Sequence, residues 1–266
     1  MRSSSATSPR RVAAGVLLSL AVLTAAACGD DDDDVTLDDV EAPADRGDHD
    51  DHDGGDLAGF TGDACDAFVA LSGVMMGDPA EAPAVIDAFE SSAPDFLAES
   101  ARVVAAGFSD LLDGTDEMAF SNANFQSHFG EIANQYFDTC DIVDRLDVEG
   151  VDYGFEGIPA EVNAGRVAIA FANRTEDFEA HEMVIMKKGD GVTETIEELL
   201  ELPEDEGMQK LQPIGVLFAE ESNNSSYGMF DLEPGDYVAI CFIPMGGHED
   251  GAPHFAGGMV AEFEVK

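Results

Sequence analysis

Residues 231–265 read DLEPGDYVAICFIPMGGHEDGAPHFAGGMVAEFEV. A polar stretch closes on Pro234-Gly235, and an apolar run rich in β-formers follows from Tyr237 to Ile243. Met259 to Val265 then alternates between apolar and acidic residues, the period-two signature of a half-buried strand. Between the two runs lie Pro244, Gly246, Gly247, Gly251 and Pro253, so the chain makes a turn-rich excursion and returns. Three further runs upstream have the same character: Arg166–Ala172, His181–Met186 and Ile214–Phe218. Short strands separated by turn signals, from about Val151 to the end, predict a β-sandwich over 150–266. One stretch interrupts it. In TETIEELLELPEDEGMQKL, residues 193–211, Thr195 and Glu198 stand at capping-box spacing and Pro203 breaks the run, predicting two short acidic helices on the rim of the sandwich.

Toward the amino end the period changes. Over 60–146 apolar residues recur every three or four positions, which predicts a small helical bundle. Asp63 is the expected cap of a first helix carrying Phe68, Leu71 and Met75. Val85, Ile86 and Phe89 mark a second. Pro94 opens a third, in which Phe96, Leu97, Val103, Val104, Phe108, Leu111 and Leu112 are expected on one face, ended by Gly114. A fourth runs from about Ser121 to Thr139 with Phe125, Phe129, Ile132 and Tyr136 inward. His128 lies beside that face and reads as a boundary or core histidine. The fold class is therefore α+β and multidomain, an N-terminal helical bundle followed by a β-sandwich with a short helical insertion.

Twelve Lys plus Arg against 56 Asp plus Glu give the 266-residue chain a formal charge of −44. A field of that sign repels phosphates and excludes nucleic acid as a partner. Much of the charge sits at 28–59, where 14 carboxylates fall between Asp30 and Asp56 with only Arg46 to offset them. Such a segment cannot bury enough apolar surface to offset its ordering entropy, so a disordered, self-repelling tether is expected; His49 and His52 are read as part of that spacer. Ahead of it, residues 1–27 combine Arg2, Arg10 and Arg11 with a short apolar run and small residues, the parts of a secretion signal. Its end, Leu23-Thr24-Ala25-Ala26-Ala27-Cys28, resembles the lipobox of bacterial lipoproteins. That resemblance implies acylation of Cys28 and an extracytoplasmic, membrane-anchored chain.

Four cysteines are present. With Cys28 assigned to lipid, Cys65 and Cys140 fall in the first and last helices, where an oxidising compartment favours a disulfide between them. Cys241 is left over, and burial, intermolecular pairing and metal ligation are its candidate roles.

The polar turn, Tyr237 and the apolar run into Cys241 resemble the penultimate strand of cupredoxins, the blue copper family. His254-Phe-Ala-Gly-Gly-Met259 resembles the His and Met that follow it there, and His181, after the polar turn Asn173-Arg-Thr-Glu-Asp, resembles the family's first ligand. The resemblance covers about residues 150–266 and implies a Greek-key sandwich holding one mononuclear copper through His181, Cys241, His254 and Met259. One thiolate, two imidazoles and a thioether suit both copper oxidation states, so electron transfer with a redox partner protein is implied. The spacing departs from the family. Twelve residues separate Cys241 from His254, and His248 offers an alternative imidazole within that loop. A copper delivery protein and a metal-free cupredoxin-like binding or scaffold domain are the other readings, the latter requiring His254 to point away from Cys241. No nucleophile-elbow serine, Gly-rich phosphate loop or HExxH helix supports an enzyme.

Overall fold

The computed structural model describes residues 60–116, 118–175, 179–247 and 251–266. The leader, Cys28, the acidic stretch to residue 59 and His248 lie outside these residues. Four α-helices come first: α1 Gly62–Gly73, α2 Ala82–Ser92, α3 Ala98–Leu112 and α4 Ala123–Thr139. Their inward positions, among them Phe68, Phe89, Val104, Phe108, Phe129 and Tyr136, form one buried cluster. A disulfide joins Cys65 in α1 to Cys140 at the end of α4.

Helix ends differ from the sequence expectation in three places. The residue before α1 is Thr61, and Asp63 lies inside the first turn, where its charge favours the helix dipole instead of capping it. Pro94 starts a single 3₁₀ turn, Asp95–Leu97, and not α3 itself. On α3 the inward stripe is Leu97, Ala101, Val104, Phe108 and Leu111, at intervals of three and four. Phe96 and Val103 each precede a stripe member by one residue, so Phe96 is 54% exposed and Val103 half-buried. For α4 the cap is Asn122, whose side chain accepts from the N–H groups of Asn124 and Phe125.

Nine strands follow, with three short helices: β1 Asp144–Val151, β2 Gly154–Glu156, β3 Glu161–Val162, β4 Gly165–Asn173, β5 His181–Lys188, α5 Ile196–Leu200, α6 Glu204–Lys210, β6 Leu211–Ala219, β7 Ser225–Leu232, β8 Gly235–Ile240, α7 His254–Gly257 and β9 Val260–Val265. They make two sheets, ordered β2-β1-β4-β7 and β3-β9-β8-β5-β6. Pairing is antiparallel except for β1 with β4 and β3 with β9. Val148, Ile169, Phe171 and Phe230 from one sheet meet Met183, Ile185, Leu217 and Phe263 from the other to form the core between them. The result is an α+β fold, helices followed by a mixed two-sheet sandwich.

The insertion does not sit on the rim. β5 and β8 are apolar on both faces, and their outward residues Val184, Met186, Val238 and Ile240 need a cover. Ile196 and Leu199 of α5 supply it, and the predicted capping box is complete, with Thr195 Oγ1 accepting from Glu198 N–H and Glu198 accepting from Thr195 N–H.

Candidate metal centre

His181 is the first residue of β5, Cys241 directly follows β8, His254 opens α7, and Met259 directly precedes β9. Because Val184 of β5 pairs with Ile240 of β8 and Ile240 pairs with Val260 of β9, these residues gather at one end of the same sheet. The long excursion after Cys241 is drawn back by main-chain hydrogen bonds. Cys241 N–H donates to Met259 O, Phe255 N–H to Cys241 O, His254 N–H to Ile243 O and Met259 N–H to His254 O, at 3.2, 2.9, 2.8 and 3.1 Å. Pro244 and Pro253 form a bridge at the neck of the loop. Twelve intervening residues therefore cost no distance in space.

His181, Cys241 and His254 are fully buried, and one donor atom from each lies within 4.8 Å of the other two. His181 Nδ1 is 3.1 Å from His254 Nδ1, and Cys241 Sγ is 3.4 Å from the same nitrogen. Met259 is also fully buried, with its thioether methyl packed toward Gly150 of β1, where a Cβ would stand 3.2 Å from it.

Two polar groups that the sequence did not single out shape this end of the sandwich. Asn173, fully buried at the end of β4, donates to Glu179 O at 2.8 Å and accepts from Thr175 N–H at 3.1 Å, which pins the approach to His181. Glu179 Oε2 lies 3.3 Å from His254 Nε2, within ion-pair distance but not aligned as a hydrogen bond, while its Oε1 accepts from Gly246 N–H at 2.7 Å. A carboxylate there favours the tautomer of His254 with its proton on Nε2, which leaves the Nδ1 lone pair facing Cys241 and His181. In a chain with 56 acidic residues, nothing in the sequence marks Glu179 out.

The electrostatics follow from burial. It pulls the His181 imidazolium down to about 4, helped by His254 and opposed by Glu179 and Asp152. It lowers His254 as well, against the pull of Glu179. It pushes the Cys241 thiol up to about 12 and the Glu182 carboxyl up to about 7, the latter offset by the hydrogen bond from Phe242 N–H. Near neutral pH the imidazoles are uncharged and the thiol keeps its proton unless a cation replaces it.

Such a donor set fits a metal. Donors about 2.0–2.3 Å from a common ion stand roughly 3–3.7 Å apart; the two separations at His254, 3.1 and 3.4 Å, fall in that range, and the donors of His181 and Cys241 lie within 4.8 Å of each other. Two neutral imidazoles and a soft sulfur suit copper or zinc, not a hard cation.

Several solved structures resemble the chain. A dithionite-reduced auracyanin from Roseiflexus castenholzii is 21% identical, with a TM-score of 0.31, over 48% of this chain and 99% of that one. Auracyanin A from Chloroflexus aurantiacus, described as a blue copper protein, is 20% identical with a TM-score of 0.28, over 46% and 98%. An azurin from Methylomonas sp. strain J is 13% identical with a TM-score of 0.28, over 46% and 97%. No protein-family model and no curated protein matches the chain.

Proposed function

We propose that this chain is an extracytoplasmic copper-binding protein, anchored to a membrane through lipid on Cys28, that carries single electrons through one copper. The observation that carries the reading is the convergence of His181 Nδ1, His254 Nδ1 and Cys241 Sγ in a buried site. His181, Cys241 and His254 would hold the metal, with Met259 at its side. Copper would supply a centre that changes oxidation state by one electron. The protein contributes rigidity. Two ligands are fixed at strand ends, and the loop bearing His254 is tied to Cys241 by main-chain hydrogen bonds. Burial excludes water and other ligands from the donors. A metal-free scaffold would have no need to turn His254 toward Cys241, and the 3.4 Å contact between them weighs against it. Copper delivery is the reading left for kinetics to separate, since a carrier retains its metal and a delivery protein hands it on.

Titrating the metal-free protein with Cu(II) is expected to show one copper per chain and a thiolate-to-copper absorption band, and Cys241→Ser is expected to lose the band. The absence of both stoichiometric uptake and a Cys241-dependent band would overturn the reading.

A further inference from the structure

Beside the proposed copper end, α5 and the segment from α7 into β9 enclose a groove of about 480 Å³. Its floor is apolar, with Leu200 from α5 facing Phe255 and Val260. Its rim is acidic. Glu197, Glu201 and Glu262 line it, all exposed, and none takes part in an ion pair or a side-chain hydrogen bond among the described residues. Elsewhere on the same insertion Glu194 pairs with Lys210, whereas the three rim carboxylates carry no such cation among the described residues. The apolar floor continues into Phe242, which is 39% exposed and packs edge-on against Phe255 with ring centroids 5.5 Å apart.

We propose that this groove docks a cationic segment of a partner protein, its Lys or Arg side chains on the three carboxylates and its apolar side chains on the floor. Charge complementarity selects that occupant. A second copy of a chain bearing −44 and an anionic membrane surface would both be repelled by the rim. An apolar floor left open in a soluble part of a chain marks a contact surface, and acidic groups around it steer the approach of a basic partner. What the docking is for rests on the copper reading. Phe255 and Gly258 in the lining immediately follow His254 and precede Met259, so the docked segment lies one residue from two proposed ligands.

The probe is a short fluorescent Lys–Leu amphipathic peptide, with a Glu–Leu counterpart as control, titrated into the purified protein and followed by anisotropy. The Lys–Leu peptide is expected to bind and to weaken as salt rises from about 20 to about 300 mM. The triple variant Glu197→Gln, Glu201→Gln, Glu262→Gln is expected to weaken binding about tenfold or more. A matched triple on α2 and the residue before it, Glu81→Gln, Asp87→Asn, Glu90→Gln, should change it by less than about twofold. Ala256→Arg, in the groove lining, should block binding with the thermal midpoint unchanged. Equal weakening by the two triples, or no binding of the Lys–Leu peptide, overturns the proposal. The same titration on Cys241→Ser keeps the readings apart. Docking is expected to persist there without the copper band, whereas absence of docking in the parent protein with its copper band intact condemns the groove alone.

Discussion

Glu179 acts on the site without belonging to the donor set. Its carboxylate stands between Gly246 N–H and His254 Nε2, tying the loop after β8 to the imidazole whose other nitrogen faces Cys241. Outer partners of this kind fix the tautomer and ring orientation of a ligating histidine, and their loss costs about 10–100-fold in metal affinity. Glu179→Gln is therefore expected to weaken copper affinity within that range, measured by competition with a chelator, while the fold is kept; unchanged affinity would remove Glu179 from the site. Glu220 is the opposite case, a carboxylate 7% exposed whose oxygens make no well-aligned hydrogen bond, Ser121 being a weak partner beside it. Burial raises it above the ordinary 4.5, outweighing the help it draws from Ser121. A raised acid favours its protonated form in the fold, so stability is full below the unfolded value and declines as pH rises toward the folded one. Glu220→Gln should be more stable than the parent at neutral pH, with the difference vanishing below about pH 4.5 when thermal midpoints are compared across pH. His181, Cys241, His254 and Met259 were singled out in the sequence by their resemblance to the cupredoxin pattern, not by periodicity. Glu179, Asn173 and Glu220 were not, because their roles depend on burial and on neighbours distant in the chain.

β7 is an edge strand, and its exposed ladder is closed by helices. Ser72 of α1 accepts from Met229 N–H at 2.9 Å, and Gln126 of α4 accepts from Ser225 N–H at 2.9 Å. Ser72 also donates to Phe68 O one turn back, so a single hydroxyl serves helix and sheet. With Ser72 and Met229 both buried, Ser72→Ala strands a main-chain N–H out of water. The expected loss is about 1–3 kcal/mol in denaturant unfolding, and a loss below about 0.5 kcal/mol would mean that the edge is closed by packing alone. This strand was missed in the sequence. Ser225-Ser226-Tyr227-Gly228 opens it without an apolar run, and its apolar residues Met229, Phe230 and Leu232 come only at its end. β1 was missed for a related reason. Leu146 and Val148 alternate there with Asp147 and Glu149, but the run is short and directly follows the fourth helix, so the sheet begins at Asp144, before the change of period near Val151. By contrast the capping box of α5 was readable because both of its hydrogen bonds lie within four consecutive residues.

Helices and sandwich meet over an apolar surface, with Ala168 and Met229 of the strands buried in the helical cluster and Phe129 of α4 edge-on to Tyr227 of β7 at 5.2 Å. Arg166 of β4 adds a charged tie, reaching Asp66 of α1 at 2.7 Å and Asp231 of β7 at 2.9 Å. A perturbation of the helices should therefore be felt in the strands. The Cys65–Cys140 disulfide is the means to test this, since it closes the helical layer across a separation of 75 residues and both cysteines lie outside the cluster between the two sheets. In the chain-entropy account a loop of that size stabilises by about 4 kcal/mol, which for a folded unit of this length corresponds to roughly 10 °C in thermal midpoint. Replacing both cysteines with serine is expected to lower the helical circular-dichroism transition by about that amount. Hydrogen exchange of β4, β7 and β8 peptides should accelerate in parallel if the shared surface couples the two layers. Faster exchange confined to α1–α4, with the strands as protected as in the parent, would show that the sandwich and its proposed copper end stand without the helices.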